Sequence, residues 1–429
     1  MLKNFKKSIS FLLWVLGPVS LLGGVSGCSP DDAWKKPEAL RARVWVYTDS
    51  QLSSETQSNT IGRDSVCLYF VDERFGIMES FTIYTSEDGN SSVSRKFQPF
   101  LYEQGKGDVW DLMLPESELS LQRAEKDVLR EDGGRSYLAC PLPLESVDRV
   151  NEMRLRCGPC GPSALWLFES DIYLNIYGKG VMEDYSPDNP APWTHLDVNI
   201  VRIAEGITVI GERAFSGLQL TGIAGSMTTS PNVRIPASVE RIGPYAFSDI
   251  PFLNVSIGKE PHLKVIDAHA FENSGLHEFL VPDQVEEIRD YAFYHVQWLQ
   301  LTLGSSRLKK IGAHAFTGIG GRPYLPPNLK AASIRIPASV EYLGDGALQG
   351  YIYQFILERI PAHMGKNPFV SVVSEGALFL REKEPPTIAE LPLSCSLGLD
   401  NWSLVVPIGS GDAYRATAPW NKIKSITEQ

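Results

Sequence analysis

A six-residue pattern recurs six times in this chain without a change of internal offset: a large aliphatic residue, a position that is glycine in four of the six copies, two variable positions, alanine, and a large apolar residue. The copies occupy residues 210–215, 242–247, 266–271, 288–293, 311–316 and 343–348, and their last residues lie 32, 24, 22, 23 and 32 positions apart. Upstream of each copy sits a two-residue alternation: Val201/Ile203, Val233/Ile235, Val255/Ile257, Phe279/Val281, Leu301/Leu303 and Ile334/Ile336. Alternation of that kind marks a short strand with one buried face. A unit of one strand and one turn cannot shield its own apolar side, so it folds only by stacking on copies of itself. The sequence therefore predicts a parallel β-ladder solenoid, with strands about 4.8 Å apart and a continuous core. Each stacked Phe contributes about 1.5–3 kcal/mol by burial. Alanine before it fits a backbone passing close to the next coil. Gly211, Gly243, Gly312 and Gly344 fit a turn that needs positive φ. Asp267 and Arg289 stand at the same position in the other two copies.

The run Ile235-Pro236-Ala237-Ser238-Val239-Glu240-Arg241-Ile242-Gly243-Pro244-Tyr245-Ala246-Phe247 resembles the BspA-like leucine-rich repeat, and Ile336-Pro337-Ala338-Ser339-Val340 with Gly344 and Ala347 nearly repeats it. The likeness extends outward. Leu174, Ile176, Gly178, Gly180, Met182, Asp184 and Tyr185, followed by Pro192-Trp193, look like the family's leading segment; Val406-Pro407, Ser410, Ala413-Tyr414 and Trp420 look like its closing one. Together these cover residues 160–429. A solenoid must cap its apolar ends, and Trp193 and Trp420 are the candidate plugs. Residues 351–386 fit the repeat poorly and are read as degenerate coils. The resemblance implies a non-catalytic cell-surface protein that binds or adheres to a protein or glycan of a host or neighbouring cell.

At the other end of the chain, Lys3, Lys6 and Lys7 precede an uncharged apolar run over residues 9–25 broken by Gly17 and Pro18. This is the pattern of a signal peptide, residues 1–27. Ser26-Gly27-Cys28 resembles a bacterial lipobox, which implies acylation of Cys28 and a lipoprotein tethered through residues 28–37. The acidic pair Asp31-Asp32 looks like a surface-export tag, so the expected place is the outer membrane or cell surface. Each buried lipid methylene adds about 0.8 kcal/mol, enough for several chains to hold a protein at a membrane. Removing residues 1–27 takes away three lysines and no acid, moving the formal charge from −11 to −14. Such an acidic chain disfavours nucleic acid as a partner.

Two rows of residues are candidate binding surfaces. Between the buried pairs of the strands, Arg202, Arg234, Ser256, Leu280, Thr302 and Arg335 point outward. They form either an acid-seeking face with an apolar centre at Leu280 or an ordinary solvated sheet. One residue before each repeat alanine stand Arg213, Tyr245, His269, Tyr291, His314 and Gly346. Regularly spaced aromatics supply packing area more often than recognition, so the second row reads first as a stacked ladder.

Cys157-Gly158-Pro159-Cys160 invites a thiol-disulfide oxidoreductase reading. That chemistry needs a helix beginning at the first cysteine to stabilise a thiolate. Gly161-Pro162 and then the strand-like Leu165-Trp166-Leu167 follow instead, so the pair reads as a structural disulfide or as thiols. Five cysteines beyond Cys28 leave at least one unpaired in a monomer. The seven histidines show no metal-ligand spacing, and no phosphate loop, dinucleotide fingerprint or nucleophile elbow is present. No cofactor, metal or enzymatic activity is expected. Residues 38–155 alternate in strand fashion at 43–47, 66–71 and 80–84, which predicts a β-sandwich-like or barrel domain, with a helix over 116–130. The binding reading stands beside a second one, a structural envelope-assembly component.

Overall fold

In a computed structural model of the chain, the described residues are 43–48, 61–85, 91–125, 127–132, 134–141, 144–220, 232–296, 300–304, 306–319, 332–395 and 398–429. The signal peptide, Cys28 and the tether lie outside them. Contacts divide the chain after Leu167 into two compact units.

The first unit contains a closed barrel of eight antiparallel strands. Its first strand, Arg43–Thr48, pairs on one side with Ile61–Phe70 and on the other with Ser136–Pro141, which closes the ring. Closure removes the free edges that a sandwich retains. Trp45, Leu68, Phe100, Trp110, Leu121, Leu129 and Tyr137 fill the interior and are all at most 1 % exposed. The helix expected over 116–130 is absent. Those residues form the strands Glu118–Glu125 and Val128–Glu131. Glu, Leu, Gln and Arg favour helix locally, but Leu121 and Arg123 are buried while Gln122 and Ala124 are exposed, a two-residue period, and barrel closure overrides the propensity. The helix that does form is Leu144–Arg154. Its Arg149 reaches the buried Glu79 on the outer side of the barrel wall at 3.3 Å, where the Tyr69 hydroxyl also donates to Glu79.

The second unit is the solenoid. Two rows of parallel strands run through it. One row consists of eight short strands from Gly180–Val181 to His363–Met364, all of two residues except Ile207–Ile210. It aligns Ile210 with Ile242, Ile266, Ile288, Ile311 and Leu343, all of them fully buried. The repeat phenylalanines form a column: ring centroids of Phe215, Phe247, Phe271, Phe293 and Phe316 follow at 5.3, 5.4, 5.0 and 5.0 Å, with interplanar angles of 11–18°. Strand pairing continues that position through Leu348, Phe369 and Leu393. Residues 351–386 are thus regular coils. Met364-Gly365-Lys366-Asn367-Pro368-Phe369 is a further copy of the repeat, with proline in place of alanine. Trp193 stacks on Phe215 at 5.8 Å and its indole N–H donates to the Ala214 carbonyl at 2.9 Å. Trp420 is buried against Tyr414 near the other end and donates to the Pro386 carbonyl.

The reason for the repeat glycines differs from the expectation. None of Gly211, Gly243, Gly312 and Gly344 has positive φ. Positive φ falls two residues later, at Arg213, Tyr245, His269, Tyr291, His314 and Gly346, between 52° and 60°. The glycines are required by contact. A Cβ on Gly243 would lie 2.7 Å from the Ile210 carbonyl oxygen, and one on Gly344 would lie 2.3 Å from the Ala313 nitrogen. At the two corners without glycine, charges knit the coils together. The Asp267 carboxylate, 3 % exposed, receives Arg241 Nε at 2.5 Å and Arg289 Nη1 at 2.6 Å from the coils on either side.

Because Phe271 has a ring on both sides, Phe271→Ala is expected to destabilise the solenoid by about 3–5 kcal/mol, read as a lower urea midpoint for the repeat unit's transition.

Candidate functional site

On the second row of strands, which we call the strand face, inward and outward residues alternate as the sequence requires. Arg202, Arg234, Leu280, Thr302 and Arg335 are exposed and Ser256 is half-buried. Register places Arg202 beside Arg234 and Arg234 beside Ser256, and separately Leu280 beside Thr302. The Arg202 guanidinium lies over the Tyr173 ring at 3.7 Å. Arg335 is held by Glu358 at 2.7 Å, so its charge is matched locally. The six candidates therefore fall into three groups along the face.

The division has a physical cause. The ladder Tyr173–Gly178, Ile200–Ile203, Val233–Ile235, Val255–Ile257 ends at its last member, and Glu278–Val281 begins a new pair with Gln300–Leu303. Across the same two coils the two-residue row is unbroken, with Ile266 paired to Ile288, and the Phe column is unbroken as well. The coils are joined on one side and parted on the other. From the strand's last aliphatic residue to the repeat's first, the spacing is seven in Ile235/Ile242, Val281/Ile288 and Ile336/Leu343, but nine in Ile257/Ile266. The extra residues loop out around Glu260, whose φ is 53°. Phe279, standing where other coils have Val, Leu or Ile, fills the space between Phe271 and Phe293 at 5.4 and 5.1 Å.

The result is a cleft of about 850 Å³ bounded by both strands. Val255 and Ile257 on its wall are only half-buried, while Val233 and Ile235 of the preceding coil are fully buried. Leu280 lines it and is 62 % exposed; Phe252, in the turn leading to the Val255 strand, is 71 % exposed. Glu260, Glu278 and Asp283 line it, and among the described residues neither Lys nor Arg does. The sequence reading found Leu280 but missed the cleft. The nine-residue spacing was its signal.

The second candidate row is a stack. The Arg213 guanidinium lies 4.0 Å over Tyr245; Tyr245 and His269 are 4.5 Å apart at 6°, His269 and Tyr291 4.9 Å at 3°, and Tyr291 and His314 5.2 Å at 25°. His269 Nδ1 meets Glu272 at 2.7 Å. The ring faces are consumed by one another, so the row presents edges only, as expected of packing.

Cys157 and Cys160 sit in the strand Cys157–Gly161, paired antiparallel with Ala164–Glu169. No helix begins there. Cys157 is a thiol, 2 % exposed, that meets the Met153 carbonyl at 3.3 Å. Burial pushes its pKa up to about 12, with Arg154 pulling weakly the other way. An exchange catalyst needs the opposite shift, so the arrangement gives the oxidoreductase reading no support. Burial likewise raises the Cys67 thiol to about 12.

Residues 226–321 match the family model described as BspA type leucine rich repeat region, in six copies. These are BspA-type leucine-rich repeats. The geometry carries the BspA-type repeat past the matched residues, to at least Phe369 in one direction and Val201 in the other. Similar solved structures include a leucine-rich repeat protein from Eubacterium ventriosum ATCC 27560 (18% identical, covering 63% of this chain and 84% of that one, TM-score 0.32). Others are a leucine-rich repeat protein from Bacteroides ovatus ATCC 8483 (18%, 73% and 76%, TM-score 0.33) and the pneumococcal vaccine antigen PcpA (12%, 63% and 98%, TM-score 0.23). No curated protein matches the chain.

With its pKa raised to about 12, Cys157 in the native protein at pH 8 is expected to react with iodoacetamide about a hundredfold or more slowly than a free cysteine. Mass spectrometry of quenched time points measures this, and a rate near that of free cysteine would restore the redox question.

Proposed function

We infer that this chain is a lipid-anchored cell-envelope protein that captures a protein or glycan partner through the strand face of its BspA-type repeats, without catalysing a reaction. The observation that carries the reading is the exposed face itself. Arg202 and Arg234 on one side of the cleft, and Leu280 and Thr302 on the other, present charge and apolar surface together. Association is driven by such exposed apolar groups ringed by polar ones, and Leu280 is among the most exposed large apolar residues of the repeats. Repeat scaffolds gain extended binding surface from regular stacking because each coil adds one more outward residue to the row. The anchoring half of the reading rests on Ser26-Gly27-Cys28 after an apolar leader.

Three measurements test this. Arg234→Ala, Leu280→Ala and Thr302→Ala, each with unchanged thermal unfolding, are expected to weaken partner capture by roughly tenfold in combination. Capture equal to that of the parent protein would reject the face. Cys28→Ser is expected to move the protein from the membrane fraction to the soluble one, and protease shaving of intact cells is expected to remove the repeats. Protection from shaving in intact cells, with digestion after lysis, would instead favour an inward-facing assembly role.

A further inference from the structure

We propose that the cleft between the strands Val255–Ile257 and Glu278–Val281 is a vacancy for one more strand, filled by an extended segment of a protein partner that is apolar on one side and basic on the other. The proposal rests on the binding reading above and deepens it by naming what enters and how.

Four observations converge. First, both walls are sheet edges. Among the described strands, the Val255 strand pairs only with Val233–Ile235, and the Glu278 strand only with Gln300–Leu303. Asn254 and Gly258 spend their main-chain groups on the preceding coil, through Val233 N–H to the Asn254 carbonyl at 3.1 Å and Gly258 N–H to the Ile235 carbonyl at 2.9 Å. In a parallel ladder successive residues bond alternately left and right, so the amide and carbonyl groups of Val255 and Ile257 turn toward the cleft. Edge groups of this kind are templates for an added strand. Second, the wall is apolar on its inner side, since Val255 and Ile257 keep surface that the equivalent pair one coil earlier has lost. Third, the outer rim is acidic, with Glu260, Glu278 and Asp283 and, among the described residues, no Lys or Arg. Fourth, the volume of about 850 Å³ accommodates a short peptide segment.

The strand period of two turns these features into one recognition rule. A segment lying in the vacancy directs alternate side chains inward, against Val255, Ile257 and Phe279, and the others outward, beside Glu278 and Leu280. Aliphatic residues suit the first set and Lys or Arg the second. Backbone pairing with both edges supplies affinity that does not depend on side chains, and the alternation supplies specificity.

The test uses the full chain and a blocked heptapeptide of alternating valine and lysine, titrated by calorimetry and followed by amide hydrogen exchange. Binding is expected, with protection gained at 255–257 and 278–281. Glu278→Lys, a substitution on an exposed side chain, is expected to weaken binding at least tenfold, as is replacing the peptide's lysines by glutamate. Val255→Pro, which removes one cleft-facing amide, and a peptide N-methylated at alternate residues are each expected to weaken it at least tenfold; the methylated peptide gives this reading without altering the protein. Absence of binding, protection elsewhere, or equal affinity for the N-methylated peptide would overturn the proposal. Dimerisation of the protein alone that Glu278→Lys abolishes would assign the vacancy to a second copy and overturn it too. Arg234→Ala and Thr302→Ala, outside the cleft, separate the two readings: capture lost in them while the heptapeptide fails to bind leaves the strand face standing and removes the insertion.

Discussion

Each coil of the repeat unit depends on the rings above and below it. No coil encloses its own phenylalanine; Phe247 is covered by Phe215 and Phe271, and Phe271 by Phe247 and Phe293. Dispersion between faces about 5 Å apart and loss of water from both sides supply the energy. The regular spacing then fixes everything outside the column. The aliphatic row keeps register, the glycine corner brings adjacent backbones into contact, and the residue two places on is driven into the left-handed region so that the chain can turn in time for alanine and the next ring.

That forced conformation explains an otherwise odd choice of residues. Non-glycine residues at positive φ are costly, on the order of 1 kcal/mol each, yet Arg213, Tyr245, His269, Tyr291 and His314 all adopt it. Their side chains stack on one another and so recover contact energy at the strained position. Where stacking ends, glycine stands at 346 and asparagine at 367, the residues that tolerate this backbone most readily. The chemical variety of the row is therefore a record of local packing, whereas on the strand face the outward residues differ from coil to coil without stacking on one another.

The repeat was legible in the sequence because one geometry is written six times, and even weak signals such as Val201/Ile203 align once the period is known. Residues 351–386 hid their coil because Pro368 replaces alanine, although Phe369 keeps the column. The role of the corner glycines was misread because a close approach by a neighbouring coil leaves no mark on local sequence beyond the glycine itself. In the first unit, closure of the barrel depends on Arg43–Thr48 meeting Ser136–Pro141, a pairing across nearly a hundred residues that no local pattern encodes. The residues Glu118–Glu125 looked helical for the same reason: their composition speaks for helix, and only their two partner strands speak against it. The cleft was legible in principle, as two surplus residues in one coil, but only by comparing copies against one another.

That surplus has a mechanical consequence. Among the described strands, the coils at 255 and 278 lack the strand-face pairing that joins each of them to its other neighbour, and they hold together through the row of short strands, the aromatic column and the Asp267–Arg289 ion pair. A stack sewn along one margin bends most easily about that margin. This junction is therefore a place where the stack can flex, and a segment wedged into it or clamped across it would stiffen the repeats there.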